Sequence, residues 1–311
     1  MIRLAPGTSS LPRVSLGRYP TPCEPLRIGT DLWIKRDDLG GDPIGGNKLR
    51  SLETLLGAVR PGDLVATMGP QGSNHALATA LYARRLGARP VIVAWWHALS
   101  PSAADVWNAT RAFAQCWSMP MIAVPAAVAA ARLSGARWIP AGGSSPLGAL
   151  GHVSAGLELA AQIEAGVLPS VTAVVVPLGS GGTTAGLALG LALAGTSTEV
   201  VAVRVAPRIV ANVRRVRALA HGAHRIIAKF GGPPMPPLRI RIVHDFYGGA
   251  YGRRTPEGDR AADRMRAEHG LSLDPTYSAK AFAAALALRT GGPVLFWNTF
   301  DARSERMATT P

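Results

Sequence analysis

Val171-Thr172-Ala173-Val174-Val175-Val176-Pro177-Leu178-Gly179-Ser180-Gly181-Gly182-Thr183-Thr184-Ala185-Gly186 is the stretch on which the fold turns. Its first part, 171–176, is apolar, rich in β-branched residues and without polar alternation. That pattern reads as a strand buried on both faces, the habit of parallel sheets. The glycines that follow open an alanine- and leucine-rich helix. Consecutive glycines let several backbone N–H groups converge, and a helix start adds positive potential, so Gly179, Ser180, Gly181, Gly182 and Thr183 suit a phosphate. A tight turn that needs glycine for a positive φ is the competing reading. No Gly-Lys-Ser/Thr closes the loop and the glycines miss the G-x-G-x-x-G spacing, so neither a Walker loop nor a dinucleotide fingerprint is read here.

The same strand–loop–helix order recurs on both sides. Upstream, 64–67 reads as a strand, 69–72 as a turn, and Ser73 or Asn74 as the cap of a helix running to Arg85. A strand at 90–95, a helix at 103–114, a strand at 121–124, helical periodicity at 126–134 and a helix at 149–165 continue the series. Downstream come a strand at 199–205, an irregular proline-rich segment at 230–240, helices at 256–269 and 279–290, and a strand at 293–297. Near the start, 1–30 is an extended leading segment and 31–36 a short strand. A glycine-rich loop then precedes a helix at 47–58 with Leu49, Leu52, Leu55 and Leu56 on one face. Alternation of this kind gives an α/β protein with mostly parallel, open twisted sheets flanked by helices, whose ligands sit beyond the carboxyl ends of the strands. The loops at 69–74 and 177–183 lie there.

Of the 33 basic residues only Lys35, Lys48, Lys229 and Lys280 are lysine; the rest are arginine. Arginine neither loses its proton near neutral pH nor forms an imine, whereas lysine does both. Lys48, in Gly45-Gly46-Asn47-Lys48, is therefore the candidate for amine chemistry. A singular lysine and a phosphate loop together point to pyridoxal 5'-phosphate, whose aldehyde needs an amine and whose phosphate needs an anion cradle.

The net charge of +14 comes from scattered arginine with no stripe of interleaved aromatics, so nucleic-acid binding is not read from it, and an anionic cofactor or substrate is the simpler use of part of it. Two cysteines make neither a metal motif nor a disulfide scaffold, and the seven histidines have no metal spacing. No apolar run is long enough to cross a membrane and no signal-peptide core occurs near the start, so a cytoplasmic protein is expected. Asp37 and Asp38, beside Lys35 and Arg36, read as part of a salt-bridge network. His75 reads as a structural or capping residue, and the tryptophans, Trp95 and Trp96 among them, as core or interface.

Several ordered motifs together resemble the D-cysteine desulfhydrase and 1-aminocyclopropane-1-carboxylate deaminase group of the tryptophan synthase β-like, fold type II pyridoxal phosphate enzymes. They are Lys35-Arg36-Asp37-Asp38 with Gly45-Gly46-Asn47-Lys48; Ser73-Asn74-His75; Ile139-Pro140-Ala141-Gly142-Gly143-Ser144; the loop 179–186; Tyr251-Gly252 with Glu257-Gly258; and Asp274-Pro275-Thr276-Tyr277. The resemblance runs from about residue 16 to 299 and implies two domains, a large cofactor-binding one from 1–50 plus 156–311 and a small one from 51–155, in a homodimer. It implies Lys48 as the Schiff-base lysine, Ser73 as a contact to the substrate carboxylate and candidate nucleophile or acid/base, and Asn74 as a partner of the cofactor's 3′-oxygen. Tyr251 and Tyr277 match active-site tyrosines, 179–183 matches the phosphate cradle, and Ser278 matches the group beside the pyridine nitrogen, with Thr299 close by.

Deaminases of the group have glutamate at the position of Ser278 and leucine near the final strand, so Ser278 and Thr299 resemble the desulfhydrase side. A hydroxyl leaves the pyridine nitrogen neutral, which favours β-elimination. The expected activity is a lyase acting on a small amino acid. Ring-opening deamination, or a cofactor-binding protein without turnover, are the alternatives. Gly72 (glutamine in the group), Ser51 (often a second lysine) and Phe300-Asp301 (usually Gly-Gly) depart from the pattern at positions expected to touch the pocket or its rim.

Overall fold

The computed structural model describes residues 5–28, 31–288 and 291–306. Two sheets organise them. The larger contains β1 (Cys23–Pro25), β2 (Leu32–Arg36), β7 (Ala173–Leu178), β8 (Glu199–Arg204), β9 (Ile240–Val243) and β10 (Val294–Asn298), in the order β1-β2-β10-β7-β8-β9. All neighbours are parallel except β1, which runs antiparallel to β2. The smaller sheet is wholly parallel, in the order β5-β4-β3-β6, from β3 (Leu64–Pro70), β4 (Arg89–Trp95), β5 (Gln115–Met119) and β6 (Arg137–Ile139). Every residue of β7 and β10 is buried, as unbroken apolar strands require.

Ten helices are described: α1 (Lys48–Leu55), α2 (Asn74–Arg85), α3 (Pro101–Phe113), α4 (Val124–Leu133), α5 (Pro146–Glu164), α6 (Gly182–Leu193), α7 (Val213–Lys229), α8 (Pro256–His269), α9 (Ser278–Ala287) and α10 (Arg303–Arg306). Leu49, Leu52 and Leu56 pack α1 and its end against Val65, Leu77 and Leu81 of the smaller sheet's core. The opposite side of α1 lies so close to α5 that a Cβ on Gly151 would overlap the Arg50 carbonyl. The helix carrying Lys48 is thus wedged between the two halves of the core.

Several expected boundaries move, each for a local reason. The strand expected at 121–124 is β5, at 115–119. Pro120 ends it, 121–123 is one 3-10 turn, and Pro125 sits in the first turn of α4, where a missing N–H costs nothing. α5 begins three residues before its expected start because Ser145 caps it through Gly148 N and Pro146 takes the first position. β7 runs to Leu178, two residues beyond 176.

α7 and the strands β1, β6 and β9 are additions to the expected elements. The arginines at 214, 215 and 217, scattered charge in the sequence, are the exposed face of α7; its other face buries Val216, Leu219, Ala220, Ala223 and Ile227. Residues 289–290, in the expected helix 279–290, lie outside the described residues; the described helix is Ser278–Ala287.

Candidate active site

The loops in question all follow carboxyl ends of strands: 37–47 after β2, 71–73 after β3, 179–181 after β7 and 299–302 after β10. A parallel sheet brings together there segments that are far apart in sequence. Lys48 opens α1. Among the described residues its amine has no ion pair or side-chain hydrogen bond, and burial pulls it down from 10.5 to about 8, against an opposing upward pull from Asp274. Next to it, the Asn47 side chain donates from Nδ2 to Thr183 Oγ1 at 2.8 Å. That bond joins the lysine loop directly to the glycine loop.

The glycine loop is closely packed by side chains from other elements. Gly181, at φ 95°, is the cap of α6, a conformation that a side chain rarely adopts. Ser180 Oγ and Ser144 Oγ lie 2.6 Å apart, and Gly182 N donates to Ser144 Oγ at 3.1 Å. A Cβ on Gly182 would come within 2.7 Å of Ser144 Oγ, and one on Gly142 would overlap Ser180 Oγ. A Cβ on Gly179 would touch the Tyr277 ring at 3.3 Å, so Tyr277 lies over the cradle. Tyr277 OH is 2.7 Å from Tyr251 OH, and their rings meet edge to face at 6.1 Å between centroids. Burial, followed by the Tyr251 phenol, holds the Tyr277 hydroxyl well above its usual range, so it stays protonated.

Ser73 caps α2: its Oγ accepts from Ala76 N at 3.3 Å, which leaves its own proton free to donate. Asn74 begins the helix, and its Oδ1 is buried without a partner. Ser278 is fully buried and is the first residue of α9, not its cap; the Asp274 carboxylate accepts from the N–H groups of Thr276, Tyr277 and Ser278 at 2.7–3.0 Å. The Ser278 hydroxyl donates to Asp274 Oδ2 at 2.7 Å and accepts from Asp274 N at 2.8 Å. Thr299 meets the lysine loop through its backbone, its carbonyl accepting from Asn47 N at 3.3 Å.

Residues without an assigned part in the sequence reading complete the arrangement. Ser144 contacts a loop 38 residues away, and His152 Nε2 lies 3.4 Å from Thr183 Oγ1. Only the motif Gly142-Gly143-Ser144 hinted at the first, and nothing in the sequence at the second. His75 is structural as expected: its Nε2 lies 3.0 Å from Thr67 Oγ1, and burial, then the Lys48 charge, lower it to about 3.

Beneath α1, Lys35, Asp37, Arg50 and Glu158 form a buried network: Lys35 to Glu158 at 2.5 Å, Arg50 to Asp37 at 2.7 Å and to Glu158 at 3.0 Å. Asp38 pairs instead with Arg36 at 2.8 Å. Burial pushes Asp37 and Glu158 upward, and their cations, Arg50 first, more than offset it, so both titrate below their usual range.

The departures resolve differently. Gly72 has φ 75° and faces Ala103, so a larger residue there is strained and crowded. Ser51 Oγ donates to the Lys48 carbonyl at 3.0 Å. Asp301 turns away from the cradle and accepts from Gly45 N at 2.6 Å, on the lysine loop. Trp96, expected in a core or interface, is 57% exposed, its Nε1 donating to Ser118 Oγ at 2.8 Å. Among the described residues no three or more His, Cys, Asp or Glu gather as a metal site, and no helix is long and apolar enough to cross a membrane.

These groups fit a phosphate-bearing aldehyde: a glycine loop in which a Cβ on Gly182 would crowd Ser144, an Asn74 oxygen with no partner among the described residues, and the Lys48 amine, near enough for its charge to lower His75 and His152. The family model described as pyridoxal-phosphate dependent enzyme matches residues 14–299. The chain is 37% identical to nocardicin C-9' epimerase of Nocardia uniformis subsp. tsuyamanensis, over 94% of each. It is 32% identical to D-cysteine desulfhydrase of Klebsiella pneumoniae (strain 342), again over 94% of each. A crystal structure described as an ACC deaminase homologue superposes with a TM-score of 0.81 at 30% identity, covering 94% of this chain and 93% of that one. The chain belongs to the pyridoxal-phosphate dependent enzyme family, with the two parallel sheets of its fold type II members.

Proposed function

We propose that the protein is a lyase that removes a β-substituent from a small amino acid, in the manner of a D-cysteine desulfhydrase, and that Lys48 is its cofactor-bearing amine. The observation that carries this reading is the uncommitted Lys48 amine, one residue from the Asn47–Thr183 bond to the glycine cradle. Bound there, the cofactor supplies an electron-withdrawing ring that accepts the charge left when the α-proton departs. The backbone N–H groups of 179–183, with the Ser180 and Thr183 hydroxyls, would hold the phosphate. Asn74 would meet the 3′-oxygen of the cofactor and Ser278 would lie beside its pyridine nitrogen, with Thr299 close by. Lys48 Nζ would hold the carbonyl and, once freed by the substrate amine, take the α-proton. At about 8 its titration lies close enough to neutral pH for both tasks. Ser73 would donate a hydrogen bond to the substrate carboxylate, and the Tyr277–Tyr251 pair, which stays protonated, would donate a hydrogen bond to a departing thiolate. From D-cysteine and water the products balance as pyruvate, ammonia and hydrogen sulfide.

The purified protein is expected to carry the cofactor on Lys48, seen by borohydride reduction and peptide mass spectrometry, and to release a keto acid and sulfide from D-cysteine. Reduced label on another residue, or on none, would refute the role of Lys48. The identity to an epimerase favours a second reading, proton removal and return at Cα without loss of a substituent. Exchange of the α-hydrogen with solvent deuterium, with inversion and no keto acid, would establish that reading in place of elimination. Keto-acid release from 1-aminocyclopropane-1-carboxylate instead would mark the ring-opening deaminase.

The division into 1–50 plus 156–311 and 51–155 is part of the same proposal; each sheet's strands fall within one portion, and α5 passes between them. So are a homodimer, supported by exposed Met121, Ile122 and Leu133, and a cytoplasmic location, supported by the free thiols of Cys23 and Cys116.

A further inference from the structure

The loop between β2 and α1 leads into Lys48 but has little regular structure of its own, and it is held by side chains from two directions. From the end of β10, Asp301 Oδ2 accepts from Gly45 N at 2.6 Å. Arg303 Nε binds the same carboxylate at 2.9 and 3.0 Å, while its Nη2 donates to the carbonyls of Asp38 at 2.9 Å and Gly41 at 2.8 Å. From α2, whose first turn carries Ser73 and Asn74, Tyr82 OH donates to Ile44 O at 2.5 Å and Arg85 Nη1 to Asp42 O at 2.7 Å. The Thr299 carbonyl would lie 2.9 Å from a Cβ on Gly46, whose φ is 89°, so the strand end and the loop touch main chain to main chain.

We propose that Asp301 and Arg303 are positioning residues that fix the Gly41–Asn47 main chain, and through it the reach of the Lys48 amine, without touching cofactor or substrate. This rests on Lys48 being the cofactor-bearing amine. The carboxylate is 7% exposed and grips a backbone N–H three residues before the reactive helix start, while the guanidinium spans two carbonyls that no other described side chain satisfies in its place. Arg303 needs the planar fork for this double grip, and a lysine would supply a point charge without it. A loop released by even 1 Å moves the amine off its attack line, which costs about 10²-fold at a reacting centre.

The test uses the apoprotein and two ligands: pyridoxal 5'-phosphate, and its analogue with a methyl group in place of the aldehyde, which still needs the cradle but not Lys48. In Asp301→Ala, amide hydrogen exchange across 41–47 is expected to rise about 10-fold while that across 173–186 holds. Capture of the aldehyde by Lys48, with loss of water, slows by about 10-fold, and the methyl analogue binds within about 2-fold of its wild-type affinity. Asp301→Asn, which keeps an oxygen for Gly45 N, and Arg303→Lys give the same pattern more weakly and serve if the alanine variant does not fold. Unchanged exchange and capture, or an equal loss of both ligands in every folded variant, overturns the proposal. A wild-type protein that binds both ligands without any covalent capture overturns the role of Lys48, and the exchange across 41–47 then decides the clamp by itself.

Discussion

Lys35 and Lys48 are both enclosed by the fold and are opposite in every other respect. Lys35 is fully buried and gives its protons to the Thr21 carbonyl at 2.7 Å, to Glu158 and to Gln162, in a network where two cations face two anions. Lys48 is half-buried and, among the described residues, its amine has no partner, and so it loses its grip on the proton. A buried charge that is paired is a structural element; an amine drawn out of water and left unpaired is available for chemistry. With its titration near 8, about a tenth of Lys48 is neutral at pH 7, against well under a thousandth for an ordinary lysine. Lysine scarcity alone does not separate them, because Lys280 is buried as well, its amine donating to the Tyr247 carbonyl at 2.9 Å.

The contrast breaks most visibly if the two lysines are exchanged in effect. Lys48→Ala is expected to abolish covalent attachment and lower turnover by at least about 10³-fold with the melting temperature little changed, whereas Lys35→Met leaves Glu158 short of a cation and costs about 3–5 kcal/mol in urea unfolding. A Lys35 variant of native stability would show that pairing is not what distinguishes the sites. Next in size is the cradle: Gly182→Ala pushes a methyl against Ser144 Oγ and should weaken phosphate binding by about 10- to 100-fold, read by calorimetry with inorganic phosphate or the cofactor, while Gly195→Ala, with open space around it, should not.

The pH dependence sharpens the comparison further. Lys48 titrates lower folded than unfolded, so the unfolded chain binds more protons between about 8 and the unfolded value of 10.5. Apoprotein stability therefore gains from Lys48 as pH rises through that window and loses it as pH falls through about 8. Wild-type minus Lys48→Met unfolding free energies should rise across the window. A flat difference would place the amine in an ordinary, solvated environment. The smallest effect expected is that of Tyr251→Phe, which removes the bond to Tyr277 at the more exposed end of the pair. It should lower elimination severalfold, by about 1 kcal/mol, without changing cofactor attachment.

Local chemistry made much of this legible. Unbroken apolar runs at 171–176 and 293–297 name parallel strands because side chains on both faces must leave water, and the glycines after β7 announce a loop that only glycine can form. α7 shows the limit. Four arginines and a lysine are scattered along it, and only the spacing of Val216, Leu219, Ala220 and Ala223 betrays the helix. Likewise Pro120 and Pro125 settle where β5 ends and α4 begins, a matter of one residue's φ that periodicity does not resolve.

The amino-acid order alone gave the α/β class and the cofactor, and it singled out the amine at 48 and the glycine loop as the places to test for it, since each follows from residue type and near neighbours. The folded molecule decided what depends on residues distant in the chain. It set which lysine has partners and made Asp274, not Ser278, the group that caps α9. It also turned Asp301 toward Gly45 and placed Ser144 and His152 against the loop at 180–183. The reason is physical: a proton's affinity and a hydroxyl's direction are set by whatever lies within a few ångströms, and only the gathering of loops at the carboxyl ends of parallel strands brings those groups together.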